Sequence, residues 1–415
     1  SIWDEFCKRP GAISGGHTGD VACDAYHRYR EDIALMASLG IKNYRLSLSW
    51  PRILPEGTGA VNQAGLDYYD RVVDCCLGHG ITPWVTLYHW DLPAALPGGW
   101  ENVDTAHAFA RYAALVAAHF RGRVTGYFTL NEPQCSVCLG YESGTHAPGK
   151  QLPLPEVFRC WKHLLLANGL AVRAVRAADP RAQVGIASTG DVCYPETQAD
   201  VEGARELCFG GAERWGFTHH WLLDPICLGR FPATAHQALA QAAGEVTREE
   251  MDVIRVDMDH LGINLYHGHA VTTQGGWPEL AVKYPGYPRT ALKWPVTPQA
   301  LRWGPRFLWE RYGLPLYITE NGQSCNDRIY LDGGVHDPDR IDYLHRYLKE
   351  LSQACQEGVP VRGYFHWSFT DNFEWSSGYD DRFGLVYVDY PTQRRIPKDS
   401  ARWYGRTMTD NGASL

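Results

Sequence analysis

Two stretches of this chain share one pattern. Gly126-Tyr127-Phe128 runs as an apolar strand into Thr129-Leu130-Asn131-Glu132-Pro133, so a carboxylate stands where the strand stops and a proline forbids continuation. Leu316-Tyr317-Ile318-Thr319-Glu320-Asn321-Gly322 again delivers a glutamate to the end of an apolar strand and follows it with a turn glycine. In a barrel of parallel strands every carboxyl end opens on the same face, so two such glutamates become neighbours however far apart they lie in sequence. A pair of facing carboxyls is the equipment of glycoside hydrolysis.

The rest of the chain alternates strand with helix. Helical periodicity is expected over Asp24 to Leu39, Asn62 to His79, Thr105 to Phe120, Leu154 to Ala178, around Ala204 to Leu223, Pro298 to Tyr312 and Asp339 to Gln356. Buried strands are expected over Asn43 to Trp50, ending in Arg45 and Trp50, and over Thr82 to Trp90, ending in His89 and Trp90. Others fall at the Glu132 stretch, Gln183 to Ser188, Leu261 to Tyr266, the Glu320 stretch and Val361 to Ser368. That makes seven strands, with a long Trp- and Pro-rich loop before Pro298. Such alternation implies a parallel sheet, and polar residues at nearly every strand end imply a site at a barrel mouth. The expected fold class is therefore α/β, an eight-stranded (β/α)8 barrel in one domain over residues 1–415, with one strand unaccounted for. A doubly wound sheet lacks support, because neither a GxGxxG after the first strand nor a GxxxxGK[ST] occurs.

Composition narrows the partners. A net charge of -8 and a pI near 6.1, without blocks of like charge, argue against nucleic acid or an anionic membrane and suit a neutral substrate. No apolar run approaches the roughly 18 residues of a membrane span and no signal peptide opens the chain, so a cytoplasmic location is the expectation. Whether the protein is a monomer or a homo-oligomer is left open. Twelve scattered cysteines read as reduced buried thiols, and Cys135 and Cys138, a lone CxxC, read as one helix face after the Glu132 strand.

Four segments together resemble glycoside hydrolase family one, and the resemblance covers essentially the whole chain. They are TLNEP, YITENG, Asp371-Asn372-Phe373-Glu374-Trp375 and the closing Phe383-Gly384-Leu385-Val386-Tyr387-Val388-Asp389-Tyr390. The resemblance implies a (β/α)8 barrel that hydrolyses β-glycosides with retention of configuration. Glu132 then matches the acid/base, which must protonate the leaving oxygen and afterwards activate water, and Glu320 matches the nucleophile. The charge of Glu320 disfavours ionisation of Glu132 at short range until the glycosyl-enzyme forms. Arg45 and Tyr266 resemble the groups that keep the nucleophile ionised and oriented.

Sugar recognition needs planar hydrogen-bonding groups and an aromatic face. By resemblance His89, Asn131, Glu374 and Trp375 bond glycone hydroxyls, Asn131 at the 2-hydroxyl, while Trp367 forms the platform under the ring. Trp294 resembles the wall that receives the leaving group, and Trp90, Asn264 and Phe383 complete the expected binding positions. Relatives that cleave 6-phosphoglycosides carry a serine where Glu374 stands, and a lysine and a tyrosine where Asp381 and Phe383 stand. The two carboxylates here would repel phosphate. The expected substrate is a small unphosphorylated β-glycoside, cellobiose-like or an aryl glucoside, with β-glucosides ahead of β-galactosides and β-fucosides. No cofactor is expected. His219-His220 and His267 with His269 do not change that, since the two-carboxylate reaction needs no Lewis acid.

The resemblance departs at the beginning. The family opens with a strand bearing a glutamine that bonds the glycone, followed by a segment like Ser1-Ile2-Trp3-Asp4, and these 415 residues start at the latter. The expectation is an amino-terminally incomplete barrel whose edges lie beside Asn43 to Trp50 and Val361 to Ser368. A rival reading follows from it: a truncated, catalytically weak sugar-binding barrel fragment that needs a complementing strand.

Overall fold

The computed structural model describes residues 1–210 and 215–415. Seven strands form the main sheet: β1 (Asn43–Ser47), β2 (Thr82–Tyr88), β3 (Gly126–Asn131), β4 (Gln183–Thr189), β5 (His260–Asn264), β6 (Leu316–Asn321) and β7 (Val361–His366). They stand side by side in chain order, and β1–β2, β2–β3, β3–β4 and β6–β7 pair in parallel. Sequential parallel strands joined by helices are the succession of a (β/α)8 barrel. Contacts divide the chain into two compact units. No helix among the described residues is long and apolar enough to cross a membrane.

Among the described residues, the first unit holds 1–12, 43–190 and 215–262. β2 is buried after its first residue and β3 throughout, as expected for parallel strands covered on both faces. The covering helices are Gln63–Gly78, Asp104–His119 and Leu154–Ala178. Ala106, Phe109, Tyr112, Ala113 and Val116 of the second fall on one buried stripe because they recur at helical spacing. β3 starts at Gly126 for a steric reason: a Cβ there would lie 2.1 Å from the Trp84 indole of β2. β1 stops at Ser47, short of the expected Trp50. Pro51 opens a helical turn over Trp50–Ile53, and Trp50, fully buried, stacks on Tyr112 with ring centroids 5.4 Å apart. Trp50 is thus a core residue rather than a strand-end group.

The second unit holds residues 13–42, 191–210 and 263–415. Helices Ala300–Tyr312 and Pro338–Gln356 lie close to their expected bounds. Strands Cys193–Pro195, His269–Thr272 and Glu279–Leu280 form a small separate sheet, so part of the segment expected as loop is strand. The tail adds an antiparallel hairpin, Val386–Asp389 with Arg394–Pro397, and the helix Asp399–Thr409. Of the stretch expected as a helix around Ala204 to Leu223, Val201–Gly210 and His219–Leu223 are helical, and residues 211–214 lie outside the described residues.

A buried ion network braces this tail. Lys398 bonds Asp327 at 2.7 Å and Asp371 at 2.8 Å; Arg340 bonds Asp327 at 2.7 Å and also Asp337, and Arg382 bonds Asp371 at 2.6 Å. Burial pushes the Asp327 carboxyl up, but Arg340 and Lys398 outweigh it and hold the group below its ordinary range. Asp371 also accepts from the Gly384 amide, and the Ser368 amide donates to the Phe383 carbonyl. Both ends of the segment from Trp367 to Phe383 are therefore held.

Candidate active site

The carboxyl end of β3 carries Asn131 and then Glu132. The β3–β4 register shifts between Phe128 and Asn131, and the Glu132 amide donates to Ala187 of β4 at 2.8 Å. Such an irregularity re-aims the residues that follow it. Glu132 takes a left-handed backbone, φ 44° and ψ 66°, and Pro133 begins a five-residue helix that passes into a π-helical turn. Gln134, fully buried, pins this turn to the end of β4 by donating to Ser188 Oγ at 3.0 Å and the Thr189 carbonyl at 2.6 Å. Ser188 in turn meets His219 Nδ1 at 2.9 Å.

Asn131 is the hub of the first unit's polar groups. Arg45 of β1 donates to its Oδ1 at 2.5 Å, which fixes the amide so that Nδ2 faces His89 Nε2 at 3.0 Å. His89 Nε2 is then the acceptor and Nδ1–H the donor to Ser47 Oγ, 3.2 Å away. Burial, helped by the Arg45 charge, holds the His89 pKa well below its ordinary value, so the ring is neutral. Trp90, at φ 80°, donates its indole N–H to the Asn131 carbonyl at 2.9 Å. Thus Arg45, His89, Trp90 and Asn131 form one connected group.

Glu320 lies within β6 and is 4% exposed; Glu132 is 6% exposed. Tyr266, just past β5, donates its phenol to Glu320 Oε2 at 2.7 Å. The Tyr266 carbonyl accepts from the hydroxyls of Tyr343 and Tyr347, both at 2.9 Å, so a helix sets the position of that phenol. Asn264 Oδ1 accepts from Thr319 at 2.5 Å, joining β5 to β6 one residue before Glu320. Gly322 lets β7 approach: a Cβ there would stand 2.0 Å from the Trp367 carbonyl oxygen.

The rings of Tyr266, Trp294 and Phe383 meet in a triangle with centroids 5.0, 6.1 and 6.1 Å apart. Phe383 is 2% exposed and contributes packing to this group. Trp367 directs its indole N–H toward Glu374 Oε2 at 3.4 Å, and the Glu374 amide donates to the Gly378 carbonyl at 2.7 Å. Trp375, at φ 49°, begins the short turn Trp375–Ser377. Asp381 is half-buried, which raises its pKa, and bonds to Ser377 and Ser324 work against that rise. Of the paired histidines, His219 meets Ser188, His269 faces Asp191 at 3.4 Å, and His267 packs on Trp294.

One contact escaped the sequence reading. The Cys135 thiol donates to Glu132 Oε2 at 3.2 Å. The signal was the three-residue spacing across a turn opened by Pro133, which places positions 132 and 135 on one side.

Known proteins carry the same architecture. The model of glycosyl hydrolase family 1 matches residues 1–413. Beta-glucosidase A of Thermotoga maritima is 42% identical over 99% of this chain and 92% of its own length. The bifunctional beta-D-glucosidase/beta-D-fucosidase of Bifidobacterium breve is 40% identical over 100% of this chain and 93% of its own. A solved structure of the Thermotoga maritima beta-glucosidase, in complex with galacto-hydroximolactam, superposes with a TM-score of 0.90 at 41% identity, covering 99% of this chain and 93% of that one. The chain belongs to glycosyl hydrolase family 1.

Proposed function

We propose that this chain is a retaining β-glycoside hydrolase, one catalytic domain that cleaves unphosphorylated β-D-glucosides first and β-galactosides or β-fucosides after them. The observation that carries the reading is the pair of strand-end glutamates, each nearly buried and each accepting from a side-chain donor. In the first step the Glu320 carboxylate attacks the anomeric carbon, the bond to the leaving oxygen breaks, and Glu132 gives that oxygen its proton. In the second, Glu132 takes a proton from water, the water oxygen bonds the anomeric carbon, and the ester to Glu320 breaks. Two inversions give retention.

Asn131, His89, Glu374 and Trp375 bond the glycone in this scheme, Trp367 lies under its ring and Trp294 walls the leaving-group side. Trp90 and Asn264 act beside them by holding Asn131 and the Glu320 strand. Arg45 serves the charge balance of the site through Asn131. Glu374 and Asp381 disfavour a phosphorylated sugar. Relatives that match nearly all of the chain carry the names of enzymes, which favours turnover over a sugar-binding fragment.

The test is aryl β-glucoside kinetics with azide. Glu320→Ala is expected to lose on the order of 10⁴-fold in kcat and to form the α-glucosyl azide. Glu132→Ala is expected to keep the first step for activated leaving groups and to form the β-glucosyl azide. Wild-type turnover by the Glu320 variant would remove the nucleophile assignment.

A further inference from the structure

Glu132 is the residue before a helix, yet its side chain caps none of the helix amides. The Cys135 and Ser136 amides go instead to the Glu132 carbonyl at 3.0 and 3.2 Å, so the backbone closes the turn and leaves the carboxyl to other partners. One of these is the Cys135 thiol, 3.2 Å from Oε2 and 8% exposed, on a turn that Gln134 anchors to the end of β4. A thiol is a weak donor. An acid/base carboxyl changes its protonation twice per turnover, so it needs a partner that orients it without strongly favouring the charged form.

We propose that Cys135 is a positioning residue for Glu132, fixing the carboxyl's rotamer through a hydrogen bond weak enough to let it cycle its proton. The inference rests on the acid/base role proposed above for Glu132. The other titratable groups packed around this turn come from several elements: Arg45 and His89 through Asn131, His219 behind Gln134, and Tyr88, Tyr141 and His146 in the crevice beside Cys135. Burial keeps His89 neutral, lowers His146 to about 4, and raises both tyrosines.

The experiment compares Cys135→Val, Cys135→Ala and Cys135→Ser in kcat/KM against pH, on a phenyl glucoside with a poor leaving group and on an activated dinitrophenyl glucoside. Removing the donor, with Val or with Ala should Val not fold, is expected to move the alkaline limb up by about 0.3 to 1 pH unit; the stronger Ser donor moves it down. The loss is on the order of 10-fold for the poor leaving group and about 2-fold or less for the activated one, which needs no proton. Equal losses on both substrates with unmoved limbs overturn the inference and leave Cys135 a packing residue. Glu132→Ala in the same series separates the two ideas. If it shows no leaving-group dependence, the acid/base reading fails; if it does and the Cys135 variants do not, the inference alone fails.

Discussion

Glu132 leaves β3 through a left-handed backbone and a proline, and its carboxyl accepts from a thiol at 3.2 Å; Glu320 stays inside β6, and its carboxyl accepts from a phenol at 2.7 Å. The supports differ as well. The Glu132 turn is tied by Gln134 to the next strand, while the Tyr266 phenol is set by two helix tyrosines on its own carbonyl. A short bond from a phenol fixes the direction in which the carboxylate faces, which suits a nucleophile that must meet one carbon. A thiol is the weaker donor and holds its carboxyl less firmly, which suits a group that must be acid in one step and base in the next. Chemically identical residues at similar strand ends are thus fitted to different tasks by the donor each meets.

The contrast can be broken most directly at its strong side. Tyr266→Phe removes the donor and keeps the ring, and is expected to lower kcat/KM by about 10- to 100-fold on activated and poor leaving groups alike. A loss under about 2-fold would mean that the phenol does not matter to the nucleophile and that the comparison has no chemical content.

A smaller effect asks whether the two units respond to acid alike. Burial lowers His146 and His260 to about 4 in the Glu132 unit, and His366 to about 3 in the Glu320 unit. These folded pKa values lie below the unfolded value of 6.5, so the unfolded chain takes its protons first. The stability contributed is present above pH 6.5 and is lost as pH falls toward 4. Thermal melts from pH 7 to 4 are expected to show this decline. His146→Gln should flatten it by up to about 3 kcal/mol near pH 4. A melt independent of pH over that range would contradict the buried neutral rings. The smallest expected effect is none: EDTA leaves aryl glucoside turnover unchanged, whereas a loss that zinc restores would replace the two-carboxylate scheme.

The seven strands of the sheet were legible to within a few residues because most are short apolar runs closed by Gly, Pro or a polar end, although β1 and β7 carry charged residues and are less buried than expected. The tail was less so. Arg394–Pro397 is a half-exposed strand whose partner, Val386–Asp389, had been read only as part of a motif, and the helix Asp399–Thr409 follows it after one residue. The small sheet of Cys193–Pro195, His269–Thr272 and Glu279–Leu280 was missed because strands this short carry no period of their own. Cys135 stands three residues from Glu132 in plain view, but with Cys138 it reads only as one helix face.

By itself the sequence determined the order of strands and helices and which residues end each strand, since periodicity, proline and glycine act within a few residues of chain. The tertiary structure decided what each of those residues faces. Trp50 became core by stacking on Tyr112, the amide of Asn131 was oriented by Arg45, and that orientation chose the tautomer of His89. Phe383 closed a ring triangle with Tyr266 and Trp294. These outcomes depend on close approach between residues distant in sequence, and a hydrogen bond or ring contact is made or lost over a few tenths of an ångström that local pattern does not encode.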